Sequence, residues 1–124
     1  MAKILIIDDE PQIRTMLQKM FTIEGHEVAA AGDGAEGVKM FRETLYDVVL
    51  TDIIMPEKEG LETIREIRKI NPDAKIIVMS GGGNKYNSDV YLELAVKFGA
   101  AKALKKPILK EELINTINEV LQAT

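Results

Sequence analysis

Short apolar runs alternate with amphipathic segments along the whole chain, and this alternation strongly limits the folds available to it. The runs have the length of buried strands, and we predict strands at Lys3–Ile7, Glu27–Ala31, Asp47–Thr51, Lys75–Ser80 and Lys102–Lys105. Strands separated by helices require parallel crossover connections. The pattern therefore predicts an α/β fold of the (βα)₅ type, in which a doubly wound parallel sheet is covered by helices on both faces.

The segments between the runs carry helix signals. The expected limits are Pro11 and Gly25 for the first helix, Asp33 or Gly34 for the start of the second, Asn71-Pro72 for the end of the third, and Ser88 and Gly99 for the fourth. Apolar residues at helical spacing mark the buried faces. They are Ile13, Met16, Leu17, Met20, Ala35, Val38, Phe41, Leu61, Ile64, Ile67, Ile70, Leu113, Ile114, Ile117, Val120 and Leu121.

Composition narrows the class of protein. With 124 residues, 46% of them hydrophobic, the chain is expected to form one domain over residues 1–124. The net charge of −4 provides no general attraction to nucleic acid or to anionic membranes, so neither is expected as a direct partner. The absence of cysteine excludes thiolate metal sites and disulfides. Because carboxylates follow a very short N-terminal apolar run, we expect no signal peptide and a cytoplasmic location.

Polar residues follow the apolar runs at the points where chemistry is expected. In doubly wound sheets, ligands bind beyond the carboxyl ends of the strands. These ends carry Asp8-Asp9-Glu10, Asp52, Ser80 and Lys105-Lys106-Pro107. Two carboxylates about 4 Å apart repel by roughly 4 kcal/mol at an effective dielectric of about 20, so acids gathered there require a cation or protonation. Oxygen ligands alone favour Mg²⁺. Each element also has a structural explanation, as a helix cap, a turn or the end of a strand.

The order and spacing of these residues are more specific than any one of them. The set consists of Asp8-Asp9, Asp52 within Thr51-Asp52-Ile53-Ile54-Met55-Pro56, Gly60, Ser80-Gly81, Gly99-Ala100 and Lys106-Pro107. In this respect the chain resembles the receiver domain of two-component response regulators over nearly its whole length. A chemotaxis member of that family is a standard example of the flavodoxin-like strand order 2-1-3-4-5. The resemblance therefore implies a single receiver domain with that order.

The resemblance also implies roles for the acidic residues. Asp52 is the expected phosphoacceptor, which attacks the phosphoryl group of a phosphohistidine on a sensor histidine kinase. Asp9 and Asp52, with the backbone carbonyl of Ile54, are expected to hold Mg²⁺. Asp8 is expected to contribute mainly through a metal-bound water.

Two further side chains are expected to contact the phosphoryl group. By the same resemblance, Lys106 neutralises one phosphoryl oxygen and Ser80 donates its hydroxyl to another. Lys105 is the alternative to Lys106. We prefer Lys106 because it directly precedes Pro107, as in the family motif.

The sequence departs from the family pattern at three places. Ala103 stands where receivers commonly carry a Tyr or Phe that switches conformation. The segment Gly81–Asn87 is longer and richer in glycine than is common, so we expect it to take part in the response to phosphorylation. Ile54 and Gly82 occupy positions that influence dephosphorylation in the family, and neither side chain can orient an attacking water. Slower hydrolysis of the phosphoryl group is expected.

The interpretation we favour is a stand-alone response regulator without an attached output domain, which catalyses only its own phosphorylation and dephosphorylation. Its expected partners are a sensor histidine kinase or a histidine phosphotransfer protein of a phosphorelay, and a downstream protein target. An aspartate-nucleophile phosphohydrolase is the first alternative, but that class needs an acid or base where Ile54 stands. An interaction module that is never phosphorylated is the second, but such a module has no need of mutually repelling acids.

Overall fold

The computed structural model describes residues 2–52, 59–80, 88–105 and 108–122, with side chains described throughout except at 59 and 88–92. Strands and helices alternate in these ranges. They are β1 (Lys3–Ile7), α1 (Pro11–Ile23), β2 (Glu27–Ala31), α2 (Gly34–Glu43), β3 (Val48–Asp52), α3 (Glu59–Ile70), β4 (Ile76–Ser80), α4 (Ser88–Phe98), β5 (Lys102–Lys105) and α5 (Lys110–Gln122). The predicted (βα)₅ pattern is confirmed.

All five strands pair in one parallel sheet with the order β2-β1-β3-β4-β5, which confirms the flavodoxin-like fold. The central strands β1, β3 and β4 are almost entirely buried. Ile7 is registered with Ala31 on one side and with Thr51 on the other. Because the strands are parallel, their carboxyl ends lie along one edge of the sheet, and the functional candidates follow at that edge.

The two faces of the sheet bury separate apolar clusters, as alternation along buried strands requires. The first cluster packs β-sheet residues such as Leu5, Val49 and Val78 against α2, α3 and α4. The second packs Leu50 and Met79, among others, against α1 and α5. The sheet is therefore doubly wound. The face on which a side chain at a strand end lies follows from the alternation of side chains along that strand.

Turn and cap residues behave largely as the sequence predicts. Gly25 adopts a φ of 92° after α1, a conformation that favours glycine. Asp33 caps α2, because its carboxylate accepts a hydrogen bond of 2.8 Å from the backbone N–H of Glu36. Glu36 in turn accepts from the N–H of Gly32 at 2.9 Å. The two bonds fix the turn between β2 and α2.

Three strand boundaries differ from the prediction, two in β3 and one in β4. β3 begins at Val48 rather than Asp47, because the Asp47 carboxylate accepts from the Lys3 N–H at 2.8 Å and the ladder starts one residue later. It ends at Asp52, which is registered with Met79 and so belongs to the strand. β4 begins at Ile76, one residue after the predicted start.

Three residues on the predicted buried faces are exposed. Met16 is 54% exposed and Ile70 is 37% exposed, and Ala35 is also exposed. Each lies at the margin of its helix's apolar stripe rather than at its centre. None of the helices within the described ranges combines the length and the apolar composition that crossing a bilayer requires.

Candidate functional site

Three acidic residues meet in the turn between β1 and α1. Asp8, Asp9 and Glu10 each offer a carboxylate oxygen, and these oxygens lie within 4.8 Å of one another. Asp8 is fully buried, whereas Asp9 and Glu10 are exposed. The turn is short because β1 ends at Ile7 and α1 begins at Pro11, whose fixed φ suits a first helical position. The acids are therefore concentrated at the carboxyl edge of the sheet.

Hydrogen bonds hold Asp8 from three directions. Its N–H donates to the carbonyl of Ala31 at 3.1 Å, which ties the turn to the end of β2. Its carboxylate Oδ1 accepts from the N–H of Glu10 at 2.9 Å. Its carbonyl accepts from Nη1 of Arg14 at 2.7 Å. Asp8 thus organises the backbone of the acidic turn, in addition to contributing a carboxylate to it.

Asp52 is the last residue of β3, and it is only 4% exposed. Asp8 and Asp52 directly follow Ile7 and Thr51, which are registered with each other, so the two acids end neighbouring strands at the same level. Asp52 is not one of the three residues in the acidic group of the β1–α1 turn. The structure therefore brings the predicted phosphoacceptor to the strand end beside that turn.

Ser80 ends β4, the next strand along the sheet, and it is completely buried. Among the described residues, no group forms a hydrogen bond with its Oγ. Leaving a buried hydroxyl without a partner costs about 1–3 kcal/mol, so such groups are rare in native proteins. The Ser80 hydroxyl can therefore donate to a ligand without giving up a hydrogen bond to a described residue.

Several predicted residues fall outside the described ranges. These are Ile54, the segment Gly81–Asn87, Lys106 and Pro107. Lys105, the alternative to Lys106, is the last residue of β5 and is exposed. It is registered with Ser80, and it stands two residues after Ala103, which packs on the α2–α4 side of the sheet. Lys105 therefore continues the row on that side.

Two residues of the site were not assigned a role from the sequence. Glu10 was noted beside Asp8 and Asp9 but was not included among the metal ligands, and its carboxylate lies within the acidic group. Arg14 carried no motif signal, because its contact with the Asp8 carbonyl depends on how α1 leaves the sheet. Glu10 directly follows Asp8 and Asp9, so the sequence could have indicated it as a further acid of the site. The apolar periodicity gives no indication of a role for Arg14.

The donor atoms of the acidic turn suit a hard divalent cation. All three are carboxylate oxygens, the ligand type that Mg²⁺ and Ca²⁺ prefer over nitrogen and sulfur. Mg²⁺ in proteins commonly takes one or two carboxylates and completes its shell with waters and phosphate oxygens. The turn and Asp52, which ends the adjacent strand, provide these acids at the carboxyl edge of the sheet.

Comparisons with known proteins agree with this arrangement. The response regulator receiver domain family matches residues 4–118. The chemotaxis protein CheY of Thermotoga maritima is 40% identical over 119 residues, which are 95% of this chain and 96% of that protein. A response regulator receiver domain protein from Clostridium thermocellum superposes with a TM-score of 0.88 at 37% identity, covering 98% of this chain and 94% of that one.

Other relatives are much longer. The DNA-binding transcriptional regulator NtrC of Azospirillum brasilense is 34% identical over 98% of this chain, but the match spans only 24% of that protein. The shared part is thus the domain described here. The parallel sheet order, the strand-end acids and the match over residues 4–118 lead to one conclusion: this chain belongs to the response regulator receiver domain family.

Proposed function

We propose that this chain is the receiver of a response regulator, which accepts a phosphoryl group on Asp52 and thereby changes its binding to another protein. The observation that carries the proposal is the convergence of three buried polar residues, Asp8, Asp52 and Ser80, at the carboxyl ends of adjacent strands. Buried acids and an unsatisfied hydroxyl are costly in a domain that only binds partners. They are useful where a phosphoryl group is bound.

The chemistry assigned to Asp52 is nucleophilic. A carboxylate oxygen of Asp52 forms a bond to phosphorus while the bond between phosphorus and the imidazole nitrogen of the donor histidine breaks, and the electron pair of that bond remains on the imidazole. The product is an aspartyl phosphate. A nucleophile at the end of a central strand is held on a rigid element, which favours accurate alignment with the incoming group.

The proposed cation is Mg²⁺, with Asp9, Asp52 and the backbone carbonyl of Ile54 as ligands and Asp8 acting through a water. Glu10 is added as a neighbouring acid because of its place in the acidic group. When bound, the cation offsets the charge of the acids and of the phosphoryl oxygens. The contribution of the chain itself is to hold the carboxylates at the sheet edge before phosphorylation.

Ser80 and Lys106 are proposed to contact the transferred group. The role of Ser80 is supported by its buried hydroxyl, which has no partner among the described residues. The choice of Lys106 over Lys105 follows from its position directly before Pro107, as in the family motif.

The proposed partners follow from the family, whose members are signalling proteins rather than metabolic enzymes. A sensor histidine kinase or a histidine phosphotransfer protein would supply the phosphoryl group, and a downstream protein would bind the phosphorylated chain. The similarity to a chemotaxis protein supports a regulator that acts through protein binding. A cytoplasmic location is part of the proposal, in keeping with a chain that contains no cysteine.

The proposal is tested by incubating the protein with acetyl phosphate and Mg²⁺ and measuring its intact mass. We expect the addition of one phosphoryl group, and we expect none after chelation of the cation. Asp52→Asn should abolish the addition. Asp73→Asn is the matched control, because Asp73 is an exposed acid in the turn after α3. Equal phosphorylation of the wild type and Asp52→Asn would overturn the assignment, and no phosphorylation of the wild type would overturn the function.

A further inference from the structure

Arg14 lies on α1, and its side chain donates a hydrogen bond to the backbone of the acidic turn. It is not part of any motif noted in the sequence. We propose that Arg14 is a positioning residue for cation binding, which fixes the backbone on either side of Asp9 so that the Asp9 carboxylate is held at the sheet edge. The inference rests on the proposed function, because it assumes that a divalent cation binds to the acidic turn. It concerns how this chain prepares the site before any ligand arrives.

The hydrogen bonds around Asp9 support this role. The peptide group before Asp9 is held through its carbonyl, which belongs to Asp8 and accepts from Nη1 of Arg14 at 2.7 Å. The peptide group after Asp9 is held through its N–H, which belongs to Glu10 and donates to Asp8 Oδ1 at 2.9 Å. Both peptide planes that flank Asp9 are therefore anchored. The Asp9 side chain itself is exposed and projects from this fixed backbone.

The surroundings of Arg14 restrict its side chain. Its backbone N–H donates to the carbonyl of Glu10 at 3.1 Å, so the first turn of α1 and the acidic turn move together. The guanidinium lies over Gly32 at the end of β2, where a Cβ would stand 3.4 Å from Nη1. Because Gly32 has no side chain, the guanidinium can lie close against the backbone there. Arg14 thus connects three segments: α1, the acidic turn and the end of β2.

The positive charge of Arg14 and its positioning effect act on cation affinity in opposite directions. A guanidinium near the site repels a divalent cation, so removing only the charge would tighten Mg²⁺ binding. Removing the anchor of the Asp8 carbonyl would release the turn and weaken binding. Losing an outer residue that orients a metal ligand typically costs about 10–100-fold in affinity. The sign of the change therefore distinguishes a positioning role from a purely electrostatic one.

The test measures Mg²⁺ affinity of the full chain by isothermal titration calorimetry. We expect Arg14→Gln to weaken Mg²⁺ binding by about 10-fold or more, and Arg14→Lys to weaken it less, because the Lys ammonium retains the charge and can donate a hydrogen bond but lacks the planar fork. Arg42→Gln is the matched control, since Arg42 is an exposed arginine at the end of α2. Unchanged or tighter binding in Arg14→Gln would overturn the inference.

A measurement without metal tests the same anchor. In Arg14→Gln, the Glu10 amide should exchange its hydrogen with solvent faster than in the wild type, while amides in the middle of β3 should be unaffected. Equal exchange at Glu10 would show that Arg14 does not hold the turn. The proposed function can fail separately from this inference. If the wild type binds Mg²⁺ but is not phosphorylated, only the proposed function is contradicted. If phosphorylation is normal and Arg14→Gln leaves the Mg²⁺ affinity unchanged, only this inference is contradicted.

Discussion

Asp52 and Ser80 are the final residues of two neighbouring parallel strands, β3 and β4, and both are buried although both are polar. Asp52 is registered with Met79, so Ser80 lies one residue further along the adjacent strand. The carboxylate that we propose as the nucleophile and a buried hydroxyl are thereby offset by one residue along the sheet edge. We propose that a phosphoryl group on Asp52 is bound in this space.

Ser80→Ala should leave the free protein at least as stable as the wild type. The substitution removes a buried hydroxyl that has no partner among the described residues, and leaving such a group unsatisfied costs about 1–3 kcal/mol. The measurement is urea unfolding. Thr116→Val is the matched control, because the Thr116 hydroxyl donates to the carbonyl of Glu112 at 2.8 Å and its loss should bring no gain.

The same variant should respond less to a phosphoryl mimic. With beryllofluoride and Mg²⁺, the wild type should gain more thermal stability than Ser80→Ala, since only the wild type can donate a hydroxyl hydrogen bond to the bound group. Equal gains in the two proteins would show that Ser80 does not contact the group on Asp52.

Asp9→Ala should weaken Mg²⁺ binding without destabilising the metal-free protein. Asp9 is exposed and adds to the repulsion among the three acids of the turn, so its removal relieves the unliganded site. A ligand at 100 times its Kd stabilises a protein by about 2.7 kcal/mol, and this gain should be lost in the variant. Thermal melts with and without Mg²⁺ test the prediction. A clear loss of stability in the absence of metal would indicate a structural role for Asp9.

Lys106→Ala should slow phosphorylation by acetyl phosphate or reduce its structural consequence, whereas Lys105→Ala should have little effect. Only Lys106 directly precedes Pro107, as in the family motif. The rate of phosphorylation and the accompanying spectral change measure the effect. Equal defects in the two variants would contradict the choice of Lys106.

Gly37→Ala should destabilise the fold, because a Cβ at this position in α2 would overlap the side chain of Ile7 in β1. Overpacking of this kind costs about 1–3 kcal/mol, more than the roughly 1 kcal/mol that alanine gains over glycine inside a helix. Ile7→Val in the Gly37→Ala background should recover part of the loss. Additive effects of the two substitutions, measured by denaturant unfolding, would argue against the contact.

Much of the fold could be predicted from the sequence because its signals are local. Pro11 marks the start of α1, Gly25 adopts the left-handed conformation after it, and Asp33 caps α2, all as expected. These residues act through their own backbone preferences and the nearest turn. The strand order came from the family resemblance, since apolar runs alone do not specify which strands are neighbours.

The predictions were wrong or incomplete where contacts between residues distant in the sequence determine a strand boundary, the burial of a side chain or a hydrogen bond. The start of β3 shifted because the Asp47 side chain bonds to Lys3, which is far away in the sequence. The position of Met16 was wrong because helical spacing does not separate the centre of an apolar stripe from its margin. The role of Arg14 was not predicted, because it depends on a contact with a backbone carbonyl that carries no sequence signal. Tertiary contacts of this kind require the structure.

The most direct test of the central claim locates the phosphoryl group in the chain. After phosphorylation with acetyl phosphate and Mg²⁺, borohydride reduces an aspartyl phosphate to homoserine, which peptide mass spectrometry assigns to a single position. We expect homoserine at position 52 and unmodified aspartate at positions 8 and 9. Homoserine at position 8 or 9, with Asp52 unmodified, would contradict it.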